Sequence, residues 1–267
     1  MKTWIAFVLL LLSVSGEAKT LLVSDIDDTI KLAHVKDLSE AARYAFDSES
    51  RFLGMSELYQ MIDQDQPDLE IVYLSRAPNW LMGRTHRKFL VNGGFPEGQY
   101  INRTNYDSEV HKLYSLRDVM NRVRPDTVVF LGDNGEQDAE VYQQISEEFS
   151  GKGIRFHQFI RVVYSKTSFM IVDSKLQAGQ VGFVTPIEVA VELEKAGVLK
   201  TSSVDILMDA LLPEILIQKN YTAEGVVAFP YFVNCRDFVW KWDADVVRFA
   251  PLKDLKQRLV ERCKIRP

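Results

Sequence analysis

The sequence has little of what would mark a metal-thiolate protein, a nucleic-acid binder or an integral membrane protein. Only two cysteines, Cys235 and Cys263, occur in 267 residues, and their spacing is not that of metal ligands. In a chain bound for export they could pair; two free, buried thiols remain the alternative. Positive charge is not in surplus: 32 Lys and Arg face 37 Asp and Glu, for a formal net charge of −5. That balance lacks the basic field of a general nucleic-acid binder and the polybasic pull toward anionic lipid surfaces. No repeat, low-complexity tract or Pro/Gly/Ser-rich linker divides the chain. No apolar run reaches the ~20 residues that span a bilayer.

One shorter apolar run does occur, at the start. Lys2 precedes an unbroken stretch from Trp4 to Leu12, and Gly16-Glu17-Ala18 has the small-x-small form of a signal-peptidase site. The expectation is a cleaved leader of residues 1–18, an exported protein in the periplasm or outside the cell, and no membrane segment in the mature chain. No cysteine follows the run, so there is no lipoprotein box. With 46% hydrophobic content, the remainder suffices for one good-sized core.

Strand and helix patterns alternate through the first part of that remainder. Leu21 to Ser24 is a short apolar run ending on Asp25, and Glu70 to Leu74 is a second, running into Ser75. Thr127 to Leu131 is a third, ending in Gly132-Asp133, and residues 154–163 are strand-like. Between them lie helical spacings over 38–46 and 54–61. A helix opened by Pro78 stops at Gly93-Gly94, and two more cover about 108–123 and 136–149. Such alternation predicts an α/β fold with a Rossmann-like, doubly wound parallel sheet. Ligands of such sheets sit beyond the carboxyl ends of the strands, where Asp25, Ser75 and Asp133 all fall. Residues 166–267 read as a mostly helical extension packed on a 19–165 core, with helices over 185–196, 204–219 and 252–263 and an aromatic, extended stretch over 226–239.

The chemistry concentrates in Ser24-Asp25-Ile26-Asp27-Asp28-Thr29-Ile30. Residues two apart on an extended chain face the same way, so Asp25 and Asp27 can enter one site. One carboxylate can attack phosphorus, and the other can serve the leaving oxygen and then water as acid and base. Their repulsion should raise one of the two pKa values. Gly132 to Asp138 brings two more hard oxygen donors, Asp133 and Asp138, suited to Mg2+. Ser75 and Lys112 could hold and neutralise a phosphate. Singly, these have plainer readings as turns, caps and a solvated helix face; their order and strand-end placement argue for a site.

With these motifs the chain resembles the haloacid-dehalogenase superfamily, and more closely the catalytic domain of the fungal actin-patch phosphatidate phosphatase and its bacterial relatives. Further stretches carry the resemblance: Phe52 to Tyr59, Gly94 to Gly98, His111-Lys112 and Gly132 to Tyr142. It covers about residues 20–165. It implies Asp25 as nucleophile and metal ligand, and Asp27 as acid/base and metal ligand through its backbone carbonyl. Asp133 and Asp138 would complete a Mg2+ site, with Thr29, Ser75, Arg76 and Lys112 on the phosphate. The implied substrate is a phosphorylated lipid or small molecule, in the family's named case phosphatidate. Two departures stand out. Ser75-Arg76-Ala77-Pro78 has Arg76 where the family has a small residue, so Arg76 could grip a second anionic group. Asn134 replaces a serine after Gly132-Asp133. The spans between motifs are too short for a large lid, which predicts little or no cap. The alternatives are a non-lipid phosphomonoesterase, a phosphotransferase or dehalogenase on the same fold, and a receiver-like or non-catalytic phosphate-binding protein.

Overall fold

The computed structural model describes residues 18–103, 107, 110–165, 176–220, 222–242 and 250–264. Of the expected leader, only Ala18 falls among them. The elements run β1 (Thr20–Asp25), α1 (Leu38–Tyr44), β2 (Arg51–Phe52), α2 (Met55–Asp65), β3 (Leu69–Pro78), α3 (Asn79–Asn92), β4 (Gln99–Arg103) and α4 (His111–Val123). They continue with β5 (Thr127–Asp133), α5 (Asp138–Phe149), β6 (Arg155–Arg161), β7 (Val181–Phe183), α6 (Pro186–Lys195), α7 (Thr201–Ile217), β8 (Val226–Val227) and α8 (Leu252–Lys264).

Six strands form one sheet in the order β4-β3-β1-β5-β6-β7, and every neighbouring pair is parallel. The α/β fold with a doubly wound parallel sheet is therefore as expected. β1 lies inside the sheet, pairing with residues 69–74 on one side and 127–131 on the other. Alternate residues of each central strand face opposite layers. Leu22, Ile71, Tyr73, Val129 and Leu131 join the core that holds α2, α6, α7 and α8. Leu21, Val23, Val72, Leu74, Val128 and Phe130 join the one beneath α4 and α5. Burial on both faces explains why β1 and β5 read as unbroken apolar runs.

The differences from expectation have local causes. β4 was not foreseen because Gln99-Tyr-Ile-Asn-Arg is an edge strand, polar and half exposed. β7 is three residues long, too short to show a period. Pro78 caps α3 from outside, with φ −62° and ψ 135°, rather than occupying its first turn. α5 begins at Asp138, two residues later than expected. Of the stretch 226–239 only Val226–Val227 is a strand, paired in parallel with β2. The aromatics that follow pack inward instead, Phe229 and Phe232 among them. Cys235 and Cys263 form a disulfide with Cα atoms 4.8 Å apart, tying α8 to that segment. No helix among the described residues is long and apolar enough to cross a membrane.

Candidate active site

Two carboxyl ends of the sheet and the start of a helix meet at one place. Asp25 closes β1, Asp133 closes β5, and Asp138 opens α5, where a helix N-terminus favours a negative charge. All three are buried, and one oxygen from each lies within 4.8 Å of the others. Gly132 makes this approach feasible: a Cβ there would stand 2.6 Å from Asp138 Cβ and 2.7 Å from its Oδ2. Gly135 likewise lets its own N–H reach Asp133 Oδ1 at 2.5 Å. Asp133 Oδ2 is buried and has no hydrogen-bond partner. A buried carboxylate oxygen without a donor is costly unless something positive completes it. Three carboxylates with that open valence fit a hard divalent cation, so the cluster could hold a metal ion.

Lys112, in the first turn of α4, is the cation present. Its Nζ donates to Asp25 Oδ1 at 2.6 Å and to Asp138 Oδ1 at 2.5 Å, and lies 3.6 Å from Glu136 Oε2. Burial alone would lower its pKa, but Asp138, Asp25 and Glu136 together hold it well above the usual lysine value. Burial pushes Asp25 well above the ordinary carboxylate range against the pull of Lys112, with Asp138 and Glu136 adding to the rise. Asp133 is raised for the same reason, burial first and then Asp138 and Asp25. Thr29 Oγ1 donates to Asp25 Oδ2 at 3.2 Å, so both oxygens of Asp25 are held.

Asp27 points into a neighbouring setting. Its carboxylate lies 3.2 Å from Nε2 of His86, a fully buried side chain of α3 whose Nδ1 contacts the Tyr100 hydroxyl at 3.0 Å. Burial would raise Asp27, but His86, Lys31 and Lys112 together outweigh it and bring the pKa down to about 2. Of the two carboxylates in the Asp-x-Asp pair, the one that rises is thus Asp25. Asp28 faces away, at φ +60°, and accepts the N–H groups of Ala33, His34 and Val35 and the Tyr164 hydroxyl. Those four bonds fix the loop after β1 and compensate its left-handed backbone.

Ser75 sits at the carboxyl end of β3 and accepts the Ala77 N–H at 3.0 Å, turning back onto its own loop. Arg76 is half-buried and lies 3.6 Å from Glu136. Glu136 therefore bridges the two cationic side chains expected to bind phosphate, Arg76 and Lys112. Asn134, the departure from the family's serine, accepts the N–H groups of Val163 and Tyr164 and donates to the Tyr164 carbonyl. An amide can do all three; a hydroxyl is shorter and has one hydrogen to give. Beside Asp27, Arg76 and Glu136 opens a cavity of about 420 Å³, bounded by α1 through Ala41 and Ala45 and by the start of α3 through Leu81 and Met82. Among the described residues, helices border it only through the seven-residue α1 and the start of α3, in line with the expectation of little or no cap.

The structure thus brings Asp25, Thr29, Lys112, Asp133 and Asp138 into contact and sets Asp27 and Arg76 at the adjoining cavity. Sequence reasoning missed His86, Glu136 and Tyr164. His86 had a signal, a histidine among Met82, Phe89 and Leu90 on the apolar side of an expected helix.

Comparison with known proteins follows the same residues. An uncharacterized protein of Schizosaccharomyces pombe is 25% identical over 157 residues, which is 54% of this chain and 25% of that protein. The chain thus spans about a quarter of that relative's length. A solved structure of a Pnkp1/Rnl/Hen1 complex aligns with a TM-score of 0.34 at 12% identity, over 56% of this chain and 48% of that one. A family model described as the catalytic domain of phosphatidate phosphatase APP1 matches residues 20–161, a span that holds every carboxylate and cation of the site. The chain belongs to the family of the phosphatidate phosphatase APP1 catalytic domain.

Proposed function

We propose that this protein is a Mg2+-dependent phosphatase that hydrolyses a phosphate monoester through an aspartyl-phosphate on Asp25, with phosphatidate as the specific substrate. The observation that carries the reading is the buried meeting of Asp25, Asp133 and Asp138, two of them paired with Lys112 and the third, Asp133, with an Oδ2 lacking a partner. Membership in a phosphatidate phosphatase family supports the substrate.

Asp25, Asp133 and Asp138 would hold Mg2+, which when bound screens the negative charge of the transferring group. An Asp25 oxygen forms the bond to phosphorus while the bond to the leaving oxygen breaks. Thr29 and Lys112 hold that carboxylate in place, so little reorganisation is needed at the moment of attack. Asp27 is the acid/base: the anionic phosphate entering beside it favours its protonated form over the ionised one of the empty site, so it gives a proton to the leaving oxygen, then takes one from the water that attacks the aspartyl-phosphate, releasing phosphate and restoring Asp25. His86 is a positioning residue that holds the Asp27 carboxylate on one side. Lys112 balances charge next to the phosphoryl group throughout, and Arg76 contacts its outer oxygens or a second anionic group.

Export is part of the proposal. The leader-like start and the disulfide between Cys235 and Cys263 support it, since disulfides persist in oxidising compartments. N-terminal sequencing of the mature protein should begin at Lys19; a retained Met1 would refute export by this route.

The chemistry is tested by turnover of soluble and lipid phosphomonoesters with Mg2+ and with chelator, on the native protein and on Asp25→Asn. Activity should need the metal and vanish in the variant while its circular dichroism stays native. Near-normal turnover by Asp25→Asn would remove the nucleophile from the mechanism.

A further inference from the structure

The edge of the sheet that carries the carboxylates also carries a group of apolar side chains facing water. Leu38 in α1 is 87% exposed and Phe46 just after it 73%, while Trp80 and Leu81 in the first turn of α3 are 84% and 40% exposed. Large apolar groups scattered singly need no explanation. These four are not scattered. α3 starts directly from the carboxyl end of β3, and α1 follows the loop that leaves the carboxyl end of β1, so both helices stand at the catalytic edge. Leu38 and Leu81 border the same cavity as Asp27 and Arg76, from opposite helices.

The cavity has a lining of two kinds: Asp27, Lys31, Arg76, Arg103 and Glu136 are charged, and the alanines of α1 with Leu38 and Leu81 are apolar. A phospholipid combines the same two characters, a phosphate and acyl chains. Two exposed cations flank the apolar group, Lys36 two residues before Leu38 and Arg84 one helical turn after Trp80, with Asp37 and Asp47 next to Leu38 and Phe46. Tryptophan beside Lys and Arg is the composition that settles at a membrane–water boundary. The chain's net charge of −5 gives no long-range attraction, so contact must depend on these local groups.

We propose that Leu38, Phe46, Trp80 and Leu81 form a rim that docks the catalytic edge onto an anionic lipid bilayer, letting the active site take a phosphorylated lipid while its chains stay in the membrane. This rests on the phosphatase reading above and adds where the enzyme meets its substrate. The mode is interfacial, with apolar side chains entering the headgroup region and no segment crossing.

The test uses the full mature chain with vesicles of phosphatidylcholine alone or mixed with phosphatidylserine, an anionic lipid without a phosphomonoester. Native protein should co-sediment with the mixed vesicles. A Phe46→Ser/Trp80→Ser variant, altered only at exposed positions that do not line the cavity, should bind them at least about tenfold more weakly. Its turnover of bilayer phosphatidate should fall in proportion, while turnover of p-nitrophenyl phosphate stays within about twofold, as expected for changes outside the machinery. Brominated lipid should quench Trp80 in the native protein. Vesicle binding by the variant equal to that of the native chain, or no binding by the native chain, would overturn the proposal. So would self-association through the rim without vesicle binding. Intact vesicle binding with no turnover of any phosphomonoester would instead overturn the phosphatase reading and support the docking surface.

Discussion

Asp133→Asn should make the metal-free protein more stable and the metal-loaded protein less stable than the native chain. Without metal, Asp25 and Asp138 share the buried Lys112, and Asp133 lies beside them with no cation of its own among the described ion pairs. Asparagine keeps the Oδ1 that accepts the Gly135 N–H, and replaces the partnerless Oδ2 with an N–H2 that can donate toward the other carboxylates. Removing one charge from a crowded functional site typically adds ~0.5–2 kcal/mol. At about 2–4 °C per kcal/mol, the melting temperature in chelator should rise by a few degrees. With Mg2+ at ~100 times its dissociation constant the native protein gains ~2.7 kcal/mol, so the order should reverse. The sign of the pH dependence follows. Burial holds Asp25 and Asp133 well above the unfolded value, so the folded, metal-free state binds protons that the unfolded state does not. Its stability is greatest below the ordinary carboxylate range and falls as pH rises through the raised folded values. Thermal melts with chelator and with Mg2+, across pH, measure all of this. A variant less stable than the native chain in chelator, or one with an undiminished Mg2+ shift, would refute the account.

Other outcomes follow from contacts already described. Glu136→Gln removes a half-buried carboxylate charge 3.6 Å from each of Arg76 and Lys112, and should tighten inhibition by inorganic phosphate. The gain should be about two- to fivefold, what ~0.5–1 kcal/mol provides; weaker inhibition would count against a phosphate site there. His86→Ala should lower kcat by up to ~10²-fold with KM little changed, since a misplacement of about 1 Å costs that much, and His86→Gln should recover part of it. Equal losses in kcat and KM, with no recovery, would reduce His86 to a packing role. Reducing the Cys235–Cys263 disulfide, which closes a loop of 28 residues, should cost about 3–4 kcal/mol in a denaturant titration. An unchanged midpoint would mean that α8 is held by packing alone.

What could be read from the sequence was what local pattern determines. β1 and β5 announce themselves because both faces of the sheet are covered, which demands apolar residues at every position. α4 shows its period because one side meets the sheet through Leu116, Val119, Met120 and Val123. The acidic ends of β1 and β5 were legible because charge following such runs is out of place unless it serves chemistry. The edge strands were not: β4 and β7 are only partly covered and obey no strict pattern. Nor were the partners supplied from afar. Tyr164 reaches Asp28 across 136 residues and His86 reaches Asp27 across 59, and neither end of either pair carries a local mark of the other. Arg161 is the extreme case, a fully buried guanidinium donating to the Thr29 and Val184 carbonyls near the Phe52 ring.

The strand order has a consequence for how the molecule comes into being. Of the sheet's strands β1 is made first, yet its two neighbours are β3 and β5, so the nucleophile's strand must wait for residues 69–74 and then 127–131 before both edges are paired. During synthesis the apolar segment bearing Asp25 has no strand partner until residues 69–74 have emerged, and one open edge until 127–131 follow. Only when Asp138 is in place can the cation pocket exist, so a nascent chain stalled before that point has no means of being rescued by the ion.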